Sequence, residues 1–338
     1  MADLLPSSRS HSAPRIDRSL PLRLPPILQN LPPVLQSLPR FRDARDYQIL
    51  FLSLFLVLGI GTRDWTLRPW GIGLLMLTCW ATQWLCALAL AHHPGARPTQ
   101  AASRPRSIAV PVSPAAHPWW QPAAFNGRSP LITALGLSLL LRADRPSTLI
   151  LAAVLAISSK FLLRYRGKHF FNPANLGIIA ALVLTPDAWV SPGQWGDEVW
   201  YGLVFLGAGG IVLGRVGRLE TTGAFLGCYG LLEAVRNLWL GWTWDVWLHR
   251  LSSGSLLLFA LFMVTDPRAI PDRARSRIVW AVAIAALTFV LRNVYFVQTA
   301  LFWALFLLSP LTLVLDRVWQ GDRFTWQDRG TQTRHKSG

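Results

Sequence analysis

Apolar runs long enough to cross a bilayer recur along this chain, and they constrain its fold more than any other feature. A hydrocarbon core of roughly 30 Å needs about 20 apolar residues as helix, and fewer where a helix stops at a protein-lined cavity. Such runs lie near 47–62, 69–91, 130–142, 146–163, 172–188, 198–214, 222–240, 252–266, 278–292 and 294–315. They predict an all-α integral membrane protein of about ten transmembrane helices, with a polytopic membrane domain over 47–315. Apolar residues make up 52% of the chain and charged residues 15%, so charge is confined to the connections between runs. Trp65, Trp70, Trp189, Trp195, Trp200, Trp239 and Trp247 sit near the ends of the runs, where an amphipathic ring suits the headgroup region.

The net charge of +16 does not point to nucleic acid, because the basic residues are spread over successive loops and form no single patch or helix stripe. The expected partner is the lipid bilayer, and nucleic acid is not expected. Counted over alternate connections, 26 Lys and Arg fall on one side and 7 on the other. Positively charged loops are retained in the cytoplasm, so the count predicts cytoplasmic termini and a multi-pass protein of the plasma (inner) membrane. Residues 1–46, rich in Pro and Arg, read as a disordered basic tail, 92–128 as a cytoplasmic linker and 316–338 as a second basic tail. The first 46 residues show no signal-peptide pattern, so the first span is expected to direct its own insertion. Cys79, Cys86 and Cys228 lie inside apolar runs without metal-ligand spacing, and no metal site is expected.

Two segments suggest an inverted five-plus-five repeat. Span three opens on Ser129-Pro130 and ends in Arg142-Ala143-Asp144-Arg145-Pro146; span eight opens on Ser252-Ser253-Gly254-Ser255 and ends in Thr265-Asp266-Pro267. Both are short, and the topology runs them in opposite directions. Inverted repeats with short, interrupted helices place their ligand site at the repeat interface.

Three polar elements abut these runs. Asn172-Pro173-Ala174-Asn175 opens span five as an N-cap followed by a first-turn proline, and its free N–H groups can cap the helix or face an anion. Ser252, Ser253, Gly254 and Ser255 offer hydroxyls at a helix start, for a ligand or for close helix packing. Thr265 and Asp266 put a hydroxyl and a carboxylate where Pro267 ends span eight. Within the runs, Glu233 and Arg236 are three apart and can pair on one helix face, while Lys160 lies near an inner boundary from which it can snorkel. Catalytic residues are not identifiable, and no nucleotide-binding loop or nucleophile elbow occurs in a suitable context.

Phe171-Asn172-Pro173-Ala174-Asn175-Leu176-Gly177, then Leu251-Ser252-Ser253-Gly254-Ser255-Leu256 and Phe262-Met263-Val264-Thr265-Asp266-Pro267, resemble in order and spacing the RnfD/NqrB family, membrane subunits of the Rnf electron-transport complex and of the sodium-pumping NADH:quinone reductase. The resemblance runs from about Pro130 to Asp316. It implies a flavin-binding membrane subunit of an electron-transport complex coupled to cation translocation, working with other membrane redox subunits and not catalytic alone. It also implies cofactor-binding roles for Asn172, Asn175, Ser252, Ser253, Gly254, Ser255, Thr265 and Asp266. The relatives attach flavin mononucleotide to a Thr in a Ser-x-Ala-Thr motif in the loop after span five. The corresponding loop, Asp187 to Glu198, contains no Thr, and Thr185 is out of register. Flavin mononucleotide or riboflavin is therefore expected to be held noncovalently. The alternatives are a stand-alone transporter or channel of the same fold without a redox centre, or a membrane scaffold.

Overall fold

A computed structural model of the chain describes residues 43–63, 68–91, 127–191, 199–321 and 323–324. The tail 1–42, the linker 92–126 and the end 325–338 lie outside the described residues, as do 192–198 of the loop where the relatives carry flavin.

Each apolar run becomes helix. The first half comprises α1 (Ala44–Arg63), α2 (Pro69–Ala91), α3 (Arg128–Leu140), α4 (Pro146–Leu162) and α5 (Pro173–Leu184); the second comprises α6 (Val199–Val216), α7 (Leu219–Trp239), α8 (Trp244–Leu251), α9 (Gly254–Leu258), α10 (Ala274–Asn293), α11 (Ala300–Leu308) and α12 (Leu311–Val318). Among the described residues, three helices have the length and apolarity to cross a membrane: α1, α2 and α10. A fourth crossing forms if α11 and α12, bent by 47°, count as one broken span. The bend falls where Pro310 removes a backbone donor, and Trp280 donates its indole N–H to the Leu308 carbonyl at 2.9 Å. α3, α4, α5, much of α6 and the α9 segment are apolar but shorter. Helix α8 and two small sheets are additions to the sequence reading; α8 occupies what the sequence presents as a loop.

The sheets tie helix ends together. β1 (Leu141–Ala143) follows α3 and pairs antiparallel with β4 (Ala188–Val190) after α5, with Arg142 opposite Trp189. β2 (Arg164–Tyr165) and β3 (Lys168–His169) form a hairpin between α4 and α5. Its two turn residues, Arg166 and Gly167, have φ of 49° and 81°, as a type I′ turn requires. Asp187 caps α4 from a distance: its two oxygens accept the Arg145 N–H and the Thr148 hydroxyl, each at 2.8 Å.

Between apolar helices in lipid, close packing and polar contacts replace the hydrophobic drive that water supplies. α4 and α5 approach closely at Gly177, where a Cβ would come within 2.6 Å of the Ala152 carbonyl oxygen and 2.9 Å of the Ala156 methyl. After α9 the backbone continues as a π-helical turn, Phe259–Met263, in which the Val264 N–H reaches the Phe259 carbonyl at 2.9 Å. Thr222 of α7 donates to the Ala260 carbonyl at 2.8 Å within this turn. Such turns leave local carbonyls available for other partners and concentrate at functional sites.

The neighbour relations repeat between halves. α1 packs on α3, α2 on α4 and α4 on α5; correspondingly α6 packs on α9, α7 on α10 and α10 on α11. The halves meet through α1 with α6 and α5 with α11, and Phe55 stacks on Phe205 with ring centroids 3.9 Å apart.

Candidate functional site

A cavity of about 850 Å³ lies where α3, α4, the β2–β3 hairpin, the start of α5 and the π-helical turn converge. Its apolar lining includes Leu52, Leu139, Leu140, Leu258, Leu261 and Phe262, all buried. Asn172, Thr265 and Asp266 also line it; Asn175 and Ser252 to Ser255 do not.

Asn172 is where sequence expectation and geometry meet most closely. Its backbone is extended, Pro173 follows at the first helical position, and its side-chain oxygen accepts the Asn175 N–H at 3.0 Å. The amide group reaches the second half of the molecule: Nδ2 donates to the Met263 carbonyl at 3.3 Å and approaches Asp266 Oδ2 at 3.5 Å. One side chain thus caps α5 and links it to the end of the π-helical turn. Asp266 is held in turn, its Oδ1 accepting the Arg268 N–H at 3.2 Å. Thr265 donates to the Leu261 carbonyl at 2.7 Å. Asn175 reaches α11, donating to the Phe302 carbonyl at 3.1 Å, while its buried side-chain oxygen has no hydrogen-bond partner among the described residues.

The serine motif lies elsewhere. Ser252 donates to the Leu248 carbonyl at 2.8 Å and ends α8; Ser253 and Ser255 share a hydrogen bond of 2.9 Å at the start of α9. The structure therefore brings Asn172, Thr265 and Asp266 to one cavity and leaves the serines at the α8–α9 junction.

Two buried residues of the site escaped the sequence reading. Lys160 does not snorkel: it is buried and lines the cavity, donating to Thr133 Oγ1 at 3.0 Å and Ser129 Oγ at 3.1 Å. Nothing in its sequence position distinguishes it from a boundary lysine, because its partners lie on α3, 27 and 31 residues earlier. His169, at the end of β3, is buried on the same cavity. Burial and the neighbouring cations Arg268, Lys160, Arg164 and Lys168 hold its imidazole well below the ordinary value, so the ring is neutral and offers one donor and one acceptor.

The pairing expected within α7 is also corrected. Glu233 bonds to Arg250 of α8 at 3.0 Å and accepts from Asn293 of α10 at 2.9 Å. The Arg236 guanidinium lies over the Trp242 ring, 4.8 Å from its centroid. The loop between α7 and α8 brings the distant cation closer than the one three residues away. Thr185, out of register with the attachment motif that the resemblance implies, donates to the Ala181 carbonyl at 2.8 Å and closes α5.

Apolar helices that end on buried polar groups, and a cavity shared by two packed halves, define a multi-pass helical membrane protein with an internal ligand-sized site. Residues 190–325 match the NQR2, RnfD, RnfE family. A 71-residue stretch is 39% identical to a subunit, designated D, of the ion-translocating oxidoreductase complex of Stutzerimonas stutzeri. That stretch is 21% of this chain and spans only about a fifth, 20%, of the relative's length. The matched family segment contains the serine motif, Thr265 and Asp266; Lys160, His169 and Asn172 precede it.

Proposed function

We propose that the chain is a membrane subunit of an ion-translocating oxidoreductase complex and holds a flavin noncovalently in the cavity bounded by Lys160, His169, Asn172 and Asp266. The family match over residues 190–325 and the relative's name support the complex-subunit reading. The observation that carries the flavin reading is the cavity itself. Its volume of about 850 Å³ falls within the range of small-molecule sites, about 300–1,000 Å³. Its donor set suits a flat heterocycle, with an ammonium, a neutral imidazole and a carboxamide in a lining that includes Phe161 and Phe262.

When bound, a flavin would supply a redox centre. The chain's residues bind and orient it: the Asn172 amide is fixed by its contacts to Met263 and Asp266, Lys160 offers a buried charge to ring carbonyls, and the leucines exclude water. The matching neighbour relations of the two halves support a five-plus-five repeat, and the opposed directions that the loop charges give its two short spans support inversion, with the Asn172–Asp266 contact near its interface. The 26 to 7 charge distribution supports ten crossings with cytoplasmic ends. On that topology the cavity mouth faces the cytoplasm, and partner subunits supply the electron donor and acceptor.

The test is purification of the chain from its own membranes in mild detergent. The expected result is a flavin that leaves with acid or solvent precipitation, together with co-purifying redox subunits. Flavin that stays on the polypeptide after denaturation, or a chain purified intact without flavin or redox partners, overturns the reading.

A further inference from the structure

The mouth of the cavity is strongly cationic. Among the described lining residues, Arg45, Lys160, Arg164, Arg166, Arg268 and Arg323 face one carboxylate, Asp266. Arg45 is neutralised by Asp43, 2.5 Å away. By contrast, among the described residues no carboxylate comes within ion-pair distance of the other four arginines or of Lys160, although several ion pairs form elsewhere on the same molecule. Arg164, Arg166, Arg268 and Arg323 are exposed, whereas Lys160 and the leucines beyond it are buried, so charge sits at the entrance and apolar surface at the depth.

The local backbone adds a second observation. Arg166 holds φ of 49° in a turn position that favours Asn or Gly, and Arg323 donates to its carbonyl at 2.8 Å. Retention of cytoplasmic loops requires basic residues in those loops but not their convergence on one cavity; a residue that breaks a local turn preference there marks a constraint beyond folding.

We propose that Arg164, Arg166, Arg268 and Arg323, with Lys160 beneath them, form a binding site for a phosphate ester, the charged end of an amphiphile whose apolar body fills the inner part of the cavity. Guanidinium forks match phosphate oxygens in geometry and charge. The ester can come from a flavin 5′-phosphate, in which case the inference rests on the flavin reading above, or from a phospholipid headgroup, in which case it does not.

The experiment uses the full chain in phosphate-free detergent. Tryptophan quenching compares flavin mononucleotide with riboflavin, and thermal unfolding compares phosphatidic acid with diacylglycerol. For a flavin occupant, the mononucleotide binds at least about tenfold more tightly than riboflavin, and inorganic phosphate competes with it. The double variant Arg164→Gln/Arg268→Gln, or Arg268→Gln alone if the pair does not fold, then abolishes that margin. For a lipid occupant, neither flavin binds, yet phosphatidic acid stabilises the wild type and not the variant; this keeps the phosphate site and removes the flavin reading. Equal affinity for both flavins, without phosphate competition or a lipid effect, overturns the phosphate site and leaves the flavin reading standing. No response to any probe overturns both.

Discussion

Asn172 performs two tasks that substitution can separate. Its oxygen caps α5, and its amide nitrogen meets the Met263 carbonyl and Asp266. Asn172→Asp retains the cap but replaces the amide donor with charge beside Asp266. Asn172→Ala removes both, and loss of the cap costs about 1 kcal/mol of stability. We predict that both variants lose bound flavin, while thermal unfolding in detergent shows the smaller loss for Asn172→Asp if capping dominates stability. At Lys160 the expectation has the opposite sign, because a buried cation that bonds the Thr133 and Ser129 hydroxyls and pairs with no carboxylate among the described residues carries a desolvation cost. Lys160→Met is expected to unfold at an equal or higher temperature than the wild type while retaining several-fold less flavin. His169 gives a pH signature. Its folded value is depressed, so its contribution to stability is complete above the unfolded value of about 6.5 and is lost as pH falls from there toward the folded value. Thermal unfolding scanned between pH 7 and 5 should show this loss, and His169→Gln should flatten it.

At the scale of elements, helix contacts rest on small residues and on a few buried polar ties. Gly177 admits no side chain where α5 crosses α4, so Gly177→Val is expected to prevent the two helices from closing and to lower the yield of folded protein. Glu233 joins α7 to α8 and α10; Glu233→Ala leaves Arg250 and Asn293 without their shared acceptor and is predicted to cost about 3 kcal/mol in unfolding experiments, with Arg236→Gln costing much less. The helices themselves were legible in the chain because apolar runs, Asn172-Pro173 and the Thr265-Asp266-Pro267 end are local signals. Helix α8 was not, because it is amphipathic and short and contains too few apolar residues to register as a span. The choice of Arg250 over Arg236 depended on a turn that the residue count within α7 does not contain. Lys160 was misread for the same reason: a lysine near the end of an apolar run has one appearance whether it reaches outward to headgroups or inward to Ser129 and Thr133.

For the whole molecule, the sequence conveyed the class of protein and three residues of the cavity, Asn172, Thr265 and Asp266. Motif order pointed to the family that residues 190–325 match, and that segment carries Thr265 and Asp266. Lys160, His169 and Asn172 come from outside that segment and meet it through packing of the two halves. The central claim is that this shared cavity holds a noncovalent flavin, and a cavity-filling variant tests it most directly. Gly136 lines the cavity, with a Cβ there meeting only the Ala174 methyl at ordinary contact distance, 3.5 Å. Flavin released by acid precipitation should be quantified per polypeptide for the wild type and for Gly136→Leu, with matched elution profiles confirming that both are folded. The account predicts about one released flavin per wild-type chain and a several-fold lower content in Gly136→Leu. Equal flavin content in the two folded proteins, or none in either, would contradict it.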